Sequence, residues 1–315
     1  MNDFARSPGV CDEARAYIQA LYGDMPPAPQ GVVTTLVHTL TSPTHLLEIW
    51  QVDLMEPLEM TWHLTLHQPL TSGDRGVAVL LSPDGCWPHV VNAAAMAAVT
   101  AQEVCLAHFD RLLFAHDRPD AQSGGAVHAH WPKRPFSALS AWAWGLLANA
   151  QALRQIQSDK AFKLGIMGHS RGGKAALLAG ALAPDVALTV AHNTGCAGAA
   201  SFQFNDGHSE TLTALQAQFP HWLSPACKQA PVRAQIEALD NRALLECLTG
   251  RHLCVMQADD DLWANPQGTR HAVARLQSHW DALGLGAKLH HFTRDGGHAV
   301  TALDWSRAAQ TLAQI

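Results

Sequence analysis

The amino-acid sequence predicts an α/β fold with a mostly parallel central sheet flanked by helices on both faces. Short apolar, β-branched runs recur along the chain, and helix-length segments lie between several of them. Such alternation of strand and helix places helices on both faces of a parallel sheet. The runs that we interpret as buried strands are Gly76–Ser82, Glu103–Phe109, Phe162–Met167, Ala187–His192, His252–Gln257 and Lys288–Phe292.

Helices and edge strands complete the predicted fold. A helix over Ser140–Gln157, with a serine at its N-cap, has apolar residues at helical spacing, and a second helix over Lys174–Ala183 follows a predicted strand. Apolar and polar residues alternate over Val32–Leu40, His45–Leu54 and Thr61–Gln68, as in half-buried strands. We therefore expect antiparallel strands at one edge of the sheet.

The chain of 315 residues fits a single domain, because it has no internal repeat, low-complexity tract or evident linker. We expect an N-terminal extension over residues 1–30. Residues 195–241 are poorly periodic, and we interpret them as an insertion that lines a substrate cleft.

Composition argues against several classes of function. The net charge is −6 and no long Lys/Arg run is present, which argues against a nucleic-acid partner. No apolar run approaches the ~18 residues of a membrane span, so we expect no membrane partner. Residues 1–30 also lack the apolar stretch of a secretory signal, and this predicts a cytoplasmic protein. The seven cysteines form no CxxC pair and the 19 histidines no HExxH motif. We therefore predict no metal and no cofactor.

The most informative motif is Gly168-His169-Ser170-Arg171-Gly172, where a predicted strand meets an alanine-rich helix. Glycines two positions before and after a serine leave room for a sharp turn that exposes the hydroxyl above the sheet. This arrangement is the nucleophile elbow of the α/β-hydrolase fold. Ser170 is therefore the candidate nucleophile, and the backbone N–H of Arg171, at a helix start, is a candidate oxyanion donor.

A serine nucleophile requires a base, and the base requires an acid. His298 follows the last predicted strand in a Gly-Gly-His loop, where this fold places its base. Three aspartates, Asp259, Asp260 and Asp261, follow the preceding strand, so the order serine, acid, histidine is that of the fold. Asp261 is our first choice because it lies three residues beyond Ala258, a common spacing in this loop; Asp260 and Asp259 are the alternatives.

A second oxyanion donor in this fold comes from the loop after the third strand. The segment Pro83–Trp87 occupies that place, and the N–H of Cys86 or Trp87 is the candidate donor. A plain turn is the alternative interpretation of the segment.

The motif Gly168–Lys174 resembles the G-x-S-R-x-G-K signature of glucuronoyl esterases, carbohydrate esterase family 15, and of related bacterial acetyl xylan esterase-like proteins. Further matches follow in consistent order, so that the resemblance runs from about Asp84 to the C-terminus. The matching segments are Asn193–Ala199, Phe219–Trp222, Asp261–Pro266, Gly296–His298 and Asp304–Trp305.

The resemblance implies roles at the matched positions. It implies that Arg171 assists the oxyanion hole, that Lys174 binds substrate and that Trp263 contacts the sugar. Some members of the family carry the catalytic acid after the sixth strand, where this sequence has Asn193, and this favours an acid in the run Asp259–Asp261. The structural alternative makes Arg171 and Lys174 helix-surface charges and Trp263 a core residue.

These observations predict a serine carboxylic ester hydrolase that works through an acyl-enzyme. If the specificity of the family applies, the substrate is a small-molecule or carbohydrate ester of a sugar acid, such as a glucuronoyl ester. Two alternatives stay open. One is a short-chain acyl or acetyl esterase, and the other is a non-catalytic binding protein of the same fold.

Overall fold

A computed structural model of the chain describes residues 11–70, 77–83, 93–120, 124–158 and 162–315. Within these residues one sheet of nine strands forms the centre of the molecule. The strands are β1 (Gln30–Thr41), β2 (His45–Glu56), β3 (Met60–Pro69), β4 (Val77–Ser82), β5 (Val104–Phe109), β6 (Phe162–His169), β7 (Leu188–His192), β8 (His252–Ala258) and β9 (Leu289–Arg294).

The strand order across the sheet is β1-β2-β3-β5-β4-β6-β7-β8-β9. Strands β4 to β9 pair parallel with their neighbours, whereas β1, β2 and β3 pair antiparallel and β3 joins β5 in the antiparallel sense. The predicted parallel sheet with an antiparallel edge is confirmed. Each predicted strand has a counterpart whose ends differ by no more than two residues.

Helices follow most of the parallel strands, as the alternation in the sequence predicts. The part of the chain that the structure describes contains no helix long and apolar enough to span a membrane. The helices are α1 (Asp12–Tyr22), α2 (Ala93–Thr100), α3 (Ala126–His130), α4 (Ala138–Ile156), α5 (Arg171–Leu182), α6 (Leu212–Gln218), α7 (Ala230–Leu239), α8 (Arg242–Leu245), α9 (Pro266–Ala282) and α10 (Ala302–Gln314).

Side chains of the parallel strands pack alternately into two apolar clusters, one on each face of the sheet. In β4, Val79 and Leu81 join the cluster that contains α4 and α5, whereas Ala78 and Leu80 join the cluster that contains α2 and α10. This alternation is the period of two expected of a strand. Helices therefore cover both faces, as predicted for this fold class.

Helix α4 begins two residues earlier than the sequence predicts. The Ser137 side chain, rather than that of Ser140, caps the helix, since its Oγ accepts a hydrogen bond from the Ser140 backbone N–H at 3.1 Å. The helix is buried on most sides because residues before β1 cover it. For example, Trp144 Nε1 donates to the Pro27 carbonyl at 2.7 Å. The N-terminal segment thus completes the core around α4.

The predicted insertion at residues 195–241 carries α6, α7 and two 3-10 helices, Pro220–Trp222 and Pro225–Lys228. It packs on the N-terminal segment, where the Ser224 N–H donates to the Leu21 carbonyl at 2.8 Å. One of its short helices, Pro220–Trp222, carries Trp222, which contacts Arg171 at the site described below.

A buried histidine pair on β3 and β5 predicts how stability changes with pH. The Nε2 atoms of His67 and His108 lie 3.0 Å apart, and burial, reinforced by His108 and His45, lowers the pKa of His67 to about 3. Unfolded His67 binds a proton near pH 6.5 and folded His67 does not. The unfolding free energy should therefore fall by up to ~1.4 kcal/mol per pH unit below about pH 6.5 on account of this residue.

Urea denaturation between pH 7.5 and pH 5 measures this dependence. His67→Gln should have a shallower decline than the wild-type protein, because glutamine retains a hydrogen-bonding amide but has no proton to gain. His63→Gln is the matched control, because His63 lies on the same strand and is exposed. An identical decline in the wild-type protein and His67→Gln would contradict the prediction.

Candidate active site

The serine of the elbow lies between β6 and α5 in a backbone conformation that side chains rarely adopt. Ser170 has φ 53° and ψ −120°, a region that costs of the order of 1–3 kcal/mol for a residue with a Cβ. The turn is tight because a Cβ on Gly168 would lie 2.2 Å from the Gly172 carbonyl carbon. A Cβ on Gly173 would lie 2.4 Å from Thr194 Cγ2. These contacts explain why the elbow needs glycines.

The base candidate and one aspartate are joined by a short hydrogen bond. His298 Nδ1 lies 2.6 Å from Asp261 Oδ2. The Asp261 side chain is buried, whereas that of His298 is 42% exposed. An acid bound to Nδ1 orients the imidazole and leaves Nε2 to exchange protons with a nucleophile.

The other two acid candidates have different partners. Asp259 forms an ion pair with Arg270 at 2.6 Å. Asp260 Oδ2 accepts the Gly296 backbone N–H at 2.8 Å, and its own N–H donates to the Gly296 carbonyl at 3.1 Å. Asp260 thus ties the loop after β8 to the loop that carries His298. Asp261 is the one of the three that contacts the imidazole.

The nucleophile and base candidates lie near each other without a direct hydrogen bond. The His298 ring centroid is 4.5 Å from that of His169, the residue before Ser170. Among the described residues, no hydrogen bond joins Ser170 Oγ to His298. In ligand-free enzymes such bonds are often long and shorten when substrate binds. The fold therefore brings the serine, histidine and aspartate to the same edge of the sheet.

A row of polar side chains continues from the elbow into the sheet. His169 Nδ1 lies 2.9 Å from His192 Nδ1, and His192 Nε2 lies 3.2 Å from Asp304 Oδ2. Burial, together with the nearby His192 and His298, lowers the pKa of His169 to about 3. His169 is therefore neutral at ordinary pH and adds no positive charge beside His298.

Arg171 reaches across the elbow toward the loop after β5. Its Nη1 donates to Asp117 Oδ2 at 2.6 Å. Its guanidinium lies over the Trp222 ring, 4.6 Å from the centroid, in a cation–π contact. The Trp222 and Phe219 rings stack 4.0 Å apart. The insertion thus supplies the aromatic surface on which Arg171 rests.

Lys174 lies one turn into α5 and is 2% exposed. Its Nζ donates to the Thr194 carbonyl at 2.5 Å, to Glu210 Oε1 at 2.7 Å and to the Cys196 carbonyl. All three ammonium hydrogens are therefore used inside the protein, so the interpretation of Lys174 as a helix-surface charge is wrong. A role in substrate binding stays a prediction.

Comparison with known proteins identifies the family. The family model described as glucuronyl esterase, fungi, matches residues 71–284 of the chain. The chain belongs to the glucuronyl esterase family. Curated relatives include a carbohydrate esterase from an unknown prokaryotic organism, 29% identical over 191 residues. Another is the 4-O-methyl-glucuronoyl methylesterase of Podospora anserina, 27% identical over 241 residues.

The two matches cover 55% and 70% of this glucuronyl esterase family member, but 43% and 50% of the relatives. The matched part thus amounts to about half the length of the curated relatives. Solved structures are similar over almost the whole chain. The glucuronoyl esterase of Solibacter usitatus has a TM-score of 0.78 at 21% identity, covering 96% of this chain and 90% of that one.

The family 15 glucuronoyl esterase of Teredinibacter turnerae has a TM-score of 0.77 at 24% identity, covering 95% of this chain and 82% of that one. At these identities the likeness concerns the fold. The predicted α/β-hydrolase fold is confirmed, and so is the resemblance to glucuronoyl esterases.

The structure describes some of the remaining candidate site residues of this family member and not others. Cys86 and Trp87, the candidates for the second oxyanion donor, lie outside the described residues. Trp263 is 38% exposed, so the interpretation of it as a core residue is wrong; its carbonyl accepts the Glu210 N–H at 2.9 Å. Across the part of the chain that the structure describes, no group of three or more His, Cys, Asp or Glu side chains could hold a metal ion.

Two carboxylates at the site of this glucuronyl esterase family member are missed by the sequence analysis. Asp117 holds Arg171, and Glu210 holds Lys174, across separations of 54 and 36 residues in the sequence. Both lie in loops without a local motif. Each carboxylate is identified only by its contact with a basic side chain that is distant in sequence. The basic residues, Arg171 and Lys174, lie in a sequence motif, and the two carboxylates do not.

Proposed function

We propose that the chain is a serine carboxylic ester hydrolase that cleaves esters of glucuronic acid. The observation that carries the proposal is the 2.6 Å hydrogen bond between His298 Nδ1 and Asp261 Oδ2 beside a serine held at a nucleophile elbow. A histidine oriented in this way is suited to take a proton from the serine hydroxyl.

In the proposed mechanism, Ser170 Oγ attacks the ester carbonyl while His298 Nε2 takes the hydroxyl proton. The backbone N–H of Arg171, at the N-terminus of α5, and its guanidinium stabilise the resulting oxyanion. Collapse of the tetrahedral intermediate breaks the bond to the alcohol, which leaves with the proton from His298. Water, activated by the same histidine, then hydrolyses the acyl-enzyme and regenerates Ser170.

The substrate class is supported by the relatives. Several of them are named 4-O-methyl-glucuronoyl methylesterases, and one similar structure, with a TM-score of 0.69, holds methyl 4-O-methyl-β-D-glucopyranuronate. The Arg171 side chain is 35% exposed and adds positive charge beside the candidate nucleophile. This charge favours an oxyanion and a uronate product.

Methanol release from methyl glucuronate tests the proposal, with methyl acetate as the comparison ester, because both esters release the same alcohol. We expect a kcat/KM for the uronate ester at least about tenfold higher than for the acetate, because a sugar ring adds contacts that acetate lacks. A preference for the acetate would favour the short-chain acyl esterase. No turnover of either ester, together with no labelling of folded protein by a fluorophosphonate, would favour a binding protein.

A further inference from the structure

Asp117 is a carboxylate near the elbow that accepts hydrogen bonds from four side chains. Its Oδ1 accepts from His221 Nε2 at 3.0 Å and from Trp222 Nε1 at 2.9 Å. Its Oδ2 accepts from Arg171 Nη1 at 2.6 Å and from Arg111 Nη2 at 3.3 Å. The side chain is 12% exposed. These four donors come from three separate parts of the chain, so Asp117 joins the loop after β5, the start of α5 and the insertion.

The charge of Asp117 is maintained by these partners. Burial alone would raise the pKa of its carboxyl, but the His221 hydrogen bond and the Arg171 charge oppose that effect and hold the pKa well below its usual value. Two guanidinium groups, those of Arg111 and Arg171, face this single carboxylate. The ionised carboxylate is therefore a suitable partner for the Arg171 guanidinium.

Two contacts, with Asp117 and with Trp222, fix the Arg171 side chain, and these two partners are hydrogen-bonded to each other. Its Nη1 is bound to Asp117, its guanidinium plane lies on Trp222, and Trp222 donates to the same carboxylate. Within the ranges that the structure describes, Nε and Nη2 of Arg171 have no hydrogen-bond partner. A free arginine side chain has many rotamers, so ordering it during the reaction would cost conformational entropy. Because the contacts with Asp117 and Trp222 already order the Arg171 side chain in the folded protein, this entropy is lost during folding and not during the reaction.

We propose that Asp117 is a positioning residue of the esterase, which holds the Arg171 guanidinium against Trp222 so that its unused donors are ready for the oxyanion formed at Ser170. The inference rests on the proposed function, because it assigns a part to Arg171 in that reaction. Asp117 itself does not touch the substrate. It acts through Arg171, and His221 and Arg111 keep its carboxylate in place.

Kinetics of Asp117→Asn on methyl glucuronate test the proposal. Asparagine keeps the size of the side chain but removes the charge that binds Arg171, so we expect kcat to fall about 10- to 100-fold with little change in KM. Asp120→Asn is the matched control, since Asp120 lies in the same loop and pairs with the exposed Arg118 at 2.7 Å. It should retain the wild-type kcat.

A double-mutant cycle separates positioning from a general structural role. If Asp117 acts through Arg171, the variant carrying both Asp117→Asn and Arg171→Ala should be no slower than Arg171→Ala alone. Losses that multiply in the double variant would overturn the proposal. If Asp117→Asn does not fold, Trp222→Phe replaces it in the cycle. This change removes the indole N–H that Asp117 accepts and keeps an aromatic ring under the guanidinium.

For Trp222→Phe we expect a kcat about 3- to 10-fold lower, again without a further loss when Arg171→Ala is added. Failure of this inference differs from failure of the proposed function. If the wild-type protein hydrolyses no ester, the proposed function fails. If the wild-type protein hydrolyses methyl glucuronate and folded Asp117→Asn does so at the same rate, only the positioning role of Asp117 fails.

Discussion

Replacing Ser170 with alanine is expected to lower kcat for methyl glucuronate by about 10⁴- to 10⁶-fold, the loss seen when a serine hydrolase is left without its nucleophile. The effect is large because no acyl-enzyme can form. Alanine keeps a Cβ at the same backbone angles, so the elbow and the thermal unfolding midpoint should change little. Turnover is measured as methanol release, and the nucleophile itself as covalent labelling by a fluorophosphonate.

Ser278→Ala is the control for the serine replacement. Ser278 is exposed on α9, and its hydroxyl donates to the Ala274 carbonyl one turn earlier at 3.1 Å. This variant should be labelled and should turn over substrate like the wild-type protein. Retention of wild-type turnover in folded Ser170→Ala would exclude Ser170 as the nucleophile.

Replacing Asp261 with asparagine is expected to lower kcat by about 10³- to 10⁴-fold, because an amide in this position favours the wrong imidazole tautomer and cannot stabilise the imidazolium. The KM should change little, since the Asp261 side chain is only 4% exposed and its carboxylate is bound to His298. The measurement is steady-state hydrolysis of methyl glucuronate.

The two neighbouring aspartates form a matched set of controls for Asp261. Asp260→Asn still offers an oxygen to the Gly296 N–H, so we expect a loss below about tenfold. Asp259→Asn breaks the ion pair with Arg270, in which the Asp259 side chain is 38% exposed and that of Arg270 is 46% exposed. Because so exposed an ion pair contributes little, this variant should turn over at the wild-type rate. A loss in Asp260→Asn as large as that in Asp261→Asn would contradict the assignment of the acid.

The sequence predicted those parts of the fold that depend on local pattern. Each buried strand is visible as a short apolar run between turn residues, and the elbow is visible because its glycines lie two positions from Ser170 in sequence. The start of α4 was misplaced because Ser137 and Ser140 are both good caps. Which of them accepts the hydrogen bond depends on how the preceding loop packs.

Contacts between distant segments were not predictable from pattern. The burial of Lys174 follows from Glu210, which lies in no motif, and from the carbonyls of Thr194 and Cys196. The matching segment Asn193–Ala199 contains both carbonyls but does not indicate that they accept hydrogen bonds from Lys174. Likewise, the family resemblance implies that Arg171 assists the oxyanion hole but does not indicate that Asp117 holds the guanidinium. Pairs of this kind form through tertiary packing, and a single sequence marks only the basic residue of each pair.

Because of the backbone angles of Ser170, a substitution that stabilises the fold at this position would abolish activity. Glycine adopts a positive φ without cost, so a chain with glycine at this place would fold more favourably and would be unable to attack an ester. Laboratory evolution that selects for heat tolerance alone would therefore discard the nucleophile. Any programme to make this protein more robust has to select for turnover in the same round.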